Sequence, residues 1–441
     1  MLFRILTLSF LAIASWISLP VTSWANDTAL PIDKPSADKS VVNLSEIDKR
    51  ASQLMRQLDM VGLSVAIVEN GEMTFSKGYG EVKRGSKNLV TGDTVFRWAS
   101  VSKGVAAATI LSLKEDGHLA LTDPANLHAQ SLKLPPSDIE TSIEDILSHR
   151  VGFVRNAYDR RIEDGRTAKN VRSALKDLRH VCQPGSCHTY QNVAFDASAE
   201  IVETITGLPY KSVVKERIFD PLDMDTASVT LEGLMRSKSW AYPHRKSGTP
   251  YSTVKPNYYR VPAAAGVNSS VKDLAKWMIA QMPEKVIAKP DAATAIALAG
   301  GLPAPDRSAI DLIAEASVRA HFEEKAPPLP LLSPELVDEM HTPRVETPRE
   351  QRFMRRQYMS LRNAQYGLGW RVYDYAGRRV VGHRGGVQGY RSLVLFDPEK
   401  RSGIAVMWNS PHSRPIGLQL EFMDQLYGLP KRDWLRLSTK S

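Results

Sequence analysis

The hydrophobic period of this chain is two at both of its ends and helical between them, and that arrangement narrows the fold more than any single motif. GLSVAIVENGEMTFSKGYG, residues 62–80, reads as an apolar strand, an Asn70-Gly71 turn and a returning strand. From Tyr366 onward, YGLGWRVY, RRVVGH, YRSLVLF and GIAVMWN read as four successive strands joined by tight turns. Residues 44–58 and 416–427 read as terminal helices, and 144–148, 192–206 and 271–282 as the clearest helices of the interior. This order predicts an α+β fold: an antiparallel sheet built from both chain ends, flanking terminal helices, and an inserted, mainly helical lobe over about 106–350. Within that lobe the Ala- and Pro-rich stretch 284–331 (DAATAIALAGG, KAPPLPLL) reads as an insertion. The expected organisation is a single domain over 44–430, preceded by a flexible lead-in at 26–43 and followed by a tail at 431–441.

The first 25 residues read as a signal peptide. Arg4 precedes an apolar run from Ile5 to Leu19, and Ser23-Trp24-Ala25 offers small residues at the −3 and −1 positions of a cleavage site. A run of that length rises about 22 Å as a helix, short of the roughly 30 Å hydrocarbon core. The expectation is an exported protein, periplasmic or secreted after cleavage near Ala25, with no stable membrane span. The net charge of +9 is scattered and lacks interleaved aromatics, which argues against nucleic acid as a partner. The two cysteines, Cys182 and Cys187, enclose a Pro184-Gly185 turn signal, which in an exported chain favours a disulfide. His180 and His188 flank the pair, so a small metal site is the alternative, although ligands this crowded rarely reach tetrahedral geometry.

Chemistry starts from FRWASVSK, in which Ser100 and Lys103 read S-x-x-K. The spacing alone carries nothing, since Ser36/Lys39, Ser173/Lys176, Ser212/Lys215, Ser252/Lys255 and Ser269/Lys272 share it. Only the Ser100 match lies where an extended segment turns into an apolar helix. There, Lys103 would share a face with Ser100, and the helix N-terminus would favour an oxyanion. A serine nucleophile needs a base, and a lysine near 10.4 is mostly protonated, so a second proton carrier is required. Tyr190 heads the one Y-x-N, in CHTYQNVAFD, and Asn192 would hold substrate or lysine. Of three [HK]-x-G triplets, only His383-Arg384-Gly385 ends a β run and opens a glycine-rich stretch where backbone can lie close to a ligand. If His383 carries charge, activity should fall as pH rises through about 6 to 8.

Taken in order, FRWASVSK, ILSHRVGF, YQNVAFD, ERIFDPLDM, YGLGW and GHRGGVQGY resemble the serine β-lactamase and penicillin-binding protein superfamily. The nearer likeness is to its class C β-lactamase, D-alanyl-D-alanine carboxypeptidase and esterase branch. The resemblance implies Ser100 as the acylated nucleophile, Lys103 and Tyr190 as the proton-transfer pair, and Asn192 contacting lysine and substrate amide. It further implies that His383 sets the charge of the cleft, that Gly385 lets substrate lie along the strand, and that the Ser100 and Gly386 N–H groups form the oxyanion hole. It implies no metal and no cofactor. His149, in LSHRVG, reads as structural.

Two departures bear on substrate. His383 stands where typical class C β-lactamases carry lysine, and Arg384 stands where the family usually carries a small hydroxyl residue. An arginine there either pairs with an anionic substrate group or fills the pocket. The sequence therefore favours a D-amino-acid peptidase or esterase acting on a small-molecule or peptide substrate, possible peptidoglycan fragments included, over a β-lactamase. A non-catalytic module that binds cell-wall fragments is the rival from another class.

Overall fold

The computed structural model describes residues 41–284, 332–357 and 360–438. The signal-peptide segment 1–25, nearly all of the lead-in 26–43 and nearly all of the insertion 284–331 lie outside those residues. The described chain opens with helix α1 (Leu44–Leu54), capped by the Asn43 side chain, which accepts from the Glu46 N–H at 3.0 Å. Strands β1 (Gly62–Glu69) and β2 (Glu72–Gly80) follow as the expected hairpin. Asn70 and Gly71, at φ +53° and +85°, give the turn the twist that a two-residue hairpin requires. The two-residue strands β3 (Phe96–Arg97) and β4 (Asn268–Ser269) pair with each other, away from the main sheet.

The C-terminal strands are β5 (Val345–Glu346), β6 (Leu361–Tyr366), β7 (Arg371–Tyr375), β8 (Arg378–Val387), β9 (Tyr390–Asp397) and β10 (Ser402–Trp408). Together with the hairpin they make one eight-stranded antiparallel sheet in the order β2-β1-β10-β9-β8-β7-β6-β5. The two chain ends meet where β1 pairs with β10, from Leu63 opposite Trp408 to Val68 opposite Gly403. YGLGWRVY, expected as one strand, is two: β6 ends at Tyr366, and β7 begins at Arg371. The Gly367 N–H donates to the Trp370 carbonyl at 2.9 Å, and Gly369 takes φ +75°. A single strand would have carried this backbone past Lys103; the turn instead presses Gly369 against the Lys103 carbonyl.

Every residue of β1 is buried, because the sheet is covered on both faces. Leu63, Val65 and Ile67 face a core made with Ile47, Leu54, Leu418 and Phe422 of the terminal helices, α1 and α7 (Ile416–Leu426). Ala66 and Val68 face the opposite core, shared with the inserted lobe. At its centre run α2 (Ser102–Glu115), α4 (Ala197–Thr206) and α5 (Val271–Ala280), with the short α3 (Asp159–Glu163) at the cleft and α6 (Pro348–Gln357) between β5 and β6. Residues 431–438, set apart in the sequence as a tail, pack back on the sheet's outer layer. Leu435 is fully buried and the Trp434 indole donates to Asp424 at 2.7 Å. Among the described residues no helix is long and apolar enough to cross a membrane.

Candidate active site

From Thr94 to Leu111 every residue is buried except Ser100. It sits in a short 3₁₀ turn, Ala99–Val101, that runs directly into α2, so the nucleophile candidate precedes the helix by two residues. The turn is clamped on two sides. The Trp98 N–H donates to the Val267 carbonyl at 2.8 Å, and the Val267 N–H donates to the Ser102 hydroxyl at 3.0 Å. Opposite, the Ser392 hydroxyl of β9 donates to the Trp98 carbonyl at 2.5 Å. Ser102 is therefore occupied by structure, which leaves Ser100 as the half-buried hydroxyl of this turn. Gly385 of β8 lies against the same turn: a Cβ there would stand 2.0 Å from the Trp98 carbonyl oxygen.

Lys103 is wholly buried on the first turn of α2. Its ammonium donates to Asn192 Oδ1 at 2.8 Å and to the Ala264 carbonyl at 2.9 Å, and lies 4.7 Å from the centre of the Tyr190 ring. Two more cations surround that ring, Arg155 at 5.4 Å and Arg371 at 5.8 Å. The structure thus brings Ser100, Lys103, Tyr190, Asn192, His383, Arg384, Gly385 and Gly386 into one region at the junction of sheet and lobe. The Cys182–Cys187 disulfide closes the loop that delivers Tyr190. Within that loop the Gly185 N–H donates to Arg150, and just beyond it the Thr189 N–H donates to His149. With the two sulfurs joined to each other, the alternative of a metal site built on them falls.

His383, expected to help set the charge of the cleft, lies on β8. It is almost fully buried, accepts from the Tyr366 hydroxyl at 3.0 Å through Nε2, and donates from Nδ1 to the Arg384 carbonyl at 3.0 Å. Burial, reinforced by the charges of Arg371 and Lys103, holds its pKa well below the ordinary histidine value. Burial likewise pushes the Tyr366 phenol well up, so it stays a donor. Burial thus favours the uncharged form of His383, which bridges the Tyr366 hydroxyl and the Arg384 carbonyl. The positive charge comes from Arg371 on β7, a residue that sequence reasoning missed. Its guanidinium lies 3.2 Å from Glu350 of α6, and Arg384 pairs with the other oxygen of the same carboxylate. Burial works against the ionised Glu350, yet Arg371 and Arg384 hold its pKa below the usual carboxylate range. Arg384 is thus bridged to α6 and stacked on Phe353, at 5.4 Å from the ring centre.

His149 belongs to the packing around Tyr190, 4.1 Å ring to ring, and burial keeps it neutral. Two further residues escaped the sequence. Asp159 of α3 accepts from Asn192 Nδ2 at 2.7 Å. Ala264 offers its backbone carbonyl to Lys103. Neither carries a local signal, since both contacts join segments far apart in the chain. Arg371 did carry one, as a charge inside an otherwise apolar strand.

The cleft lined by Gly385 and Gly386 also holds Arg155, Arg349, Arg371, Arg384 and Arg391 against the single carboxylate of Glu350. Five guanidiniums to one carboxylate make its walls strongly cationic, a setting that draws anionic groups.

The family model for Beta-lactamase matches residues 47–420, nearly the whole of the fold just described. The chain belongs to the Beta-lactamase family, whose members are serine hydrolases. It is 25% identical over 411 residues to an unguisins hydrolase of Aspergillus violaceofuscus, covering 88% of this chain and 65% of that protein. It is 25% identical over 244 residues to a β-lactamase of Pseudomonas fluorescens, covering 55% of this chain and 66% of that one. The chain spans less than two thirds of the length of these relatives. In structure it resembles the octameric penicillin-binding protein homologue from Pyrococcus abyssi, with TM-score 0.69, 22% identity, and coverage of 88% of this chain and 78% of that one. It also resembles a D-stereospecific amidohydrolase from a Streptomyces species, with TM-score 0.61, 19% identity, and coverage of 87% and 99%. At these identities the two structures establish the fold.

Proposed function

We propose that this protein is an exported serine hydrolase that forms an acyl-enzyme at Ser100 and acts on D-amino-acid-containing peptides or small esters bearing an anionic group. The observation that carries the reading is Ser100, the one residue between Thr94 and Leu111 that is not buried, three residues before the buried Lys103 ammonium that contacts both Asn192 and the face of Tyr190. The Ser100 oxygen attacks the substrate carbonyl carbon while its proton passes to the Lys103–Tyr190 pair. The N–H groups of Ser100 and Gly386 stabilise the oxyanion. As the bond to nitrogen or oxygen breaks, the pair returns the proton to the leaving amine or alcohol. Water then hydrolyses the ester at Ser100. Asn192 holds Lys103, Gly385 lets the substrate lie along β8, neutral His383 fixes β8 against Tyr366, and the arginines of the cleft, Arg384 among them, receive the anionic group.

The test is intact-protein mass spectrometry of the chain with a fluorophosphonate and, separately, with a penicillin, alongside Ser100→Ala. A fluorophosphonate adduct that vanishes in Ser100→Ala is expected, with penicillin consumed slowly or held as a persistent adduct. Rapid penicillin turnover would favour a class C-like β-lactamase instead. The absence of any Ser100 adduct would refute the hydrolase reading in favour of a binding module.

A further inference from the structure

Lys103 and Asp159 each present an unanswered charge. Lys103 is fully buried, yet its two hydrogen-bond acceptors are neutral oxygens, and among the described residues no carboxylate lies within ion-pair distance of it. An uncompensated buried ammonium is costly. Asp159 is its mirror image. Its Oδ2 accepts from Asn192 Nδ2 at 2.7 Å and from the Tyr258 hydroxyl at 3.4 Å, both uncharged groups. Its Oδ1 is buried without a hydrogen-bond partner among the described residues. The two charges sit at opposite ends of one amide, the oxygen of Asn192 toward the cation and the nitrogen toward the anion.

We infer that Asp159 is a positioning residue for catalysis. Acting through Asn192, it serves as the remote counter-charge of Lys103 and fixes the Asn192 amide with its oxygen on the ammonium. An amide is nearly symmetric in shape, so packing alone does not choose between its two orientations; a carboxylate at one end does, because it accepts and cannot donate. The reverse orientation would set the Asn192 NH₂ against the Lys103 ammonium, donor against donor. The chain is built to hold this geometry. The Asn156 N–H donates to the Tyr190 carbonyl at 2.8 Å, and the Ala157 N–H donates to Gln191 Oε1 at 3.1 Å. Gln191 in turn donates to the Val154 carbonyl at 2.6 Å. The loop that carries Asp159 is thereby stitched, residue against residue, to the Tyr190–Asn192 segment. Burial raises the Asp159 pKa overall, and the Asn192 hydrogen bond and the Lys103 charge limit that rise.

The inference rests on the acyl-enzyme reading, and its test separates the two. The second-order rate of Ser100 labelling by a fluorophosphonate is measured for the full chain, Ser100→Ala, Asp159→Ala, Asn192→Ala and the double variant, with thermal melts to show that each is folded. Asp159→Ala should slow labelling about 10- to 100-fold, the worth of a charge-assisted hydrogen bond. In the Asn192→Ala background the same substitution should slow it less than about 2-fold, because a residue that acts through Asn192 has nothing left to position. Asp159→Asn, which keeps an acceptor without its charge, should fall between. A merely structural Asp159 would lower the melting temperature and multiply with Asn192→Ala, and additivity of that kind overturns the inference. So does native-rate labelling of Asp159→Ala. Label persisting in Ser100→Ala overturns the acyl-enzyme reading and this inference with it.

Discussion

Gly385→Ala should cripple the enzyme, and the structure says by how much. The added Cβ would lie 2.0 Å from the Trp98 carbonyl oxygen, 2.5 Å from Ser392 Oγ and 3.0 Å from Ala99 Cβ. A real Cβ essentially never comes nearer than 3.0 Å, so β8 and the nucleophile turn must part by about 1 Å. That oxygen cannot swing aside, because it belongs to backbone and already accepts the Ser392 hydroxyl at 2.5 Å. Overpacking of this kind costs about 1–3 kcal/mol of stability. A 1 Å displacement between nucleophile and oxyanion donor costs on the order of 100-fold in rate. Gly386→Ala is the internal control. Its Cβ would first meet the Arg391 side chain at 3.2 Å, a flexible group that can yield. Fluorophosphonate labelling rates with parallel melts are the assay. We expect about a 100-fold loss for Gly385→Ala and less than 10-fold for Gly386→Ala. Equal rates for Gly385→Ala and the native chain would refute the claim that β8 is pressed on the Ser100 turn.

Acid should destabilise the fold through its buried histidines. Burial holds His149 and His383 well below the ordinary value and takes His188 and His341 to about 3. The unfolded chain binds these protons near pH 6.5 and the folded chain does not. Stability is therefore complete above that pH and is lost as pH falls, at about 1.4 kcal/mol per pH unit for each such histidine. Melting temperatures from calorimetry between pH 7.5 and 4.5 should fall steadily, and a flat profile would contradict the burial argument. The activity profile, in contrast, should show no histidine limb between pH 6 and 8. The Cys182–Cys187 disulfide closes only a small loop, so its reduction should cost only about 2 kcal/mol, yet it frees the segment that delivers Tyr190. A dithiothreitol-treated sample should label more slowly while remaining folded by circular dichroism.

What was legible in the sequence follows from how local each signal is. The hairpin at Asn70-Gly71, the apolar β1 and the S-x-x-K at a helix entry are written in neighbouring residues, and the structure realises each. The split at Gly367–Gly369 was not legible, because YGLGWRVY fits a strand until the backbone of α2 is placed beside it. His383 was legible as a site residue, but the burial that lowers its pKa was not, since the groups that pack around it come from other strands and from α2. Glu350 stands among arginines in PREQRFMRRQ and carries no local signal that sets it apart. Only the packing of α6 over the sheet turns it toward Arg371 and Arg384.

The seam between β1 and β10 also fixes when this protein can fold. Leu63 pairs with Trp408, so β1, next to the edge strand β2, has no partner on its other side until residues 402–408 have been made. Contacts of such long sequence separation are slow to form, since loop closure is paid before they reward it. Through synthesis the eight residues of β1, all buried in the finished fold, wait as an open edge with β2 on one side, the kind of surface that pairs with other chains. The architecture that sets Ser100 between both ends of the sequence thus makes the last strand synthesised the one that commits the first.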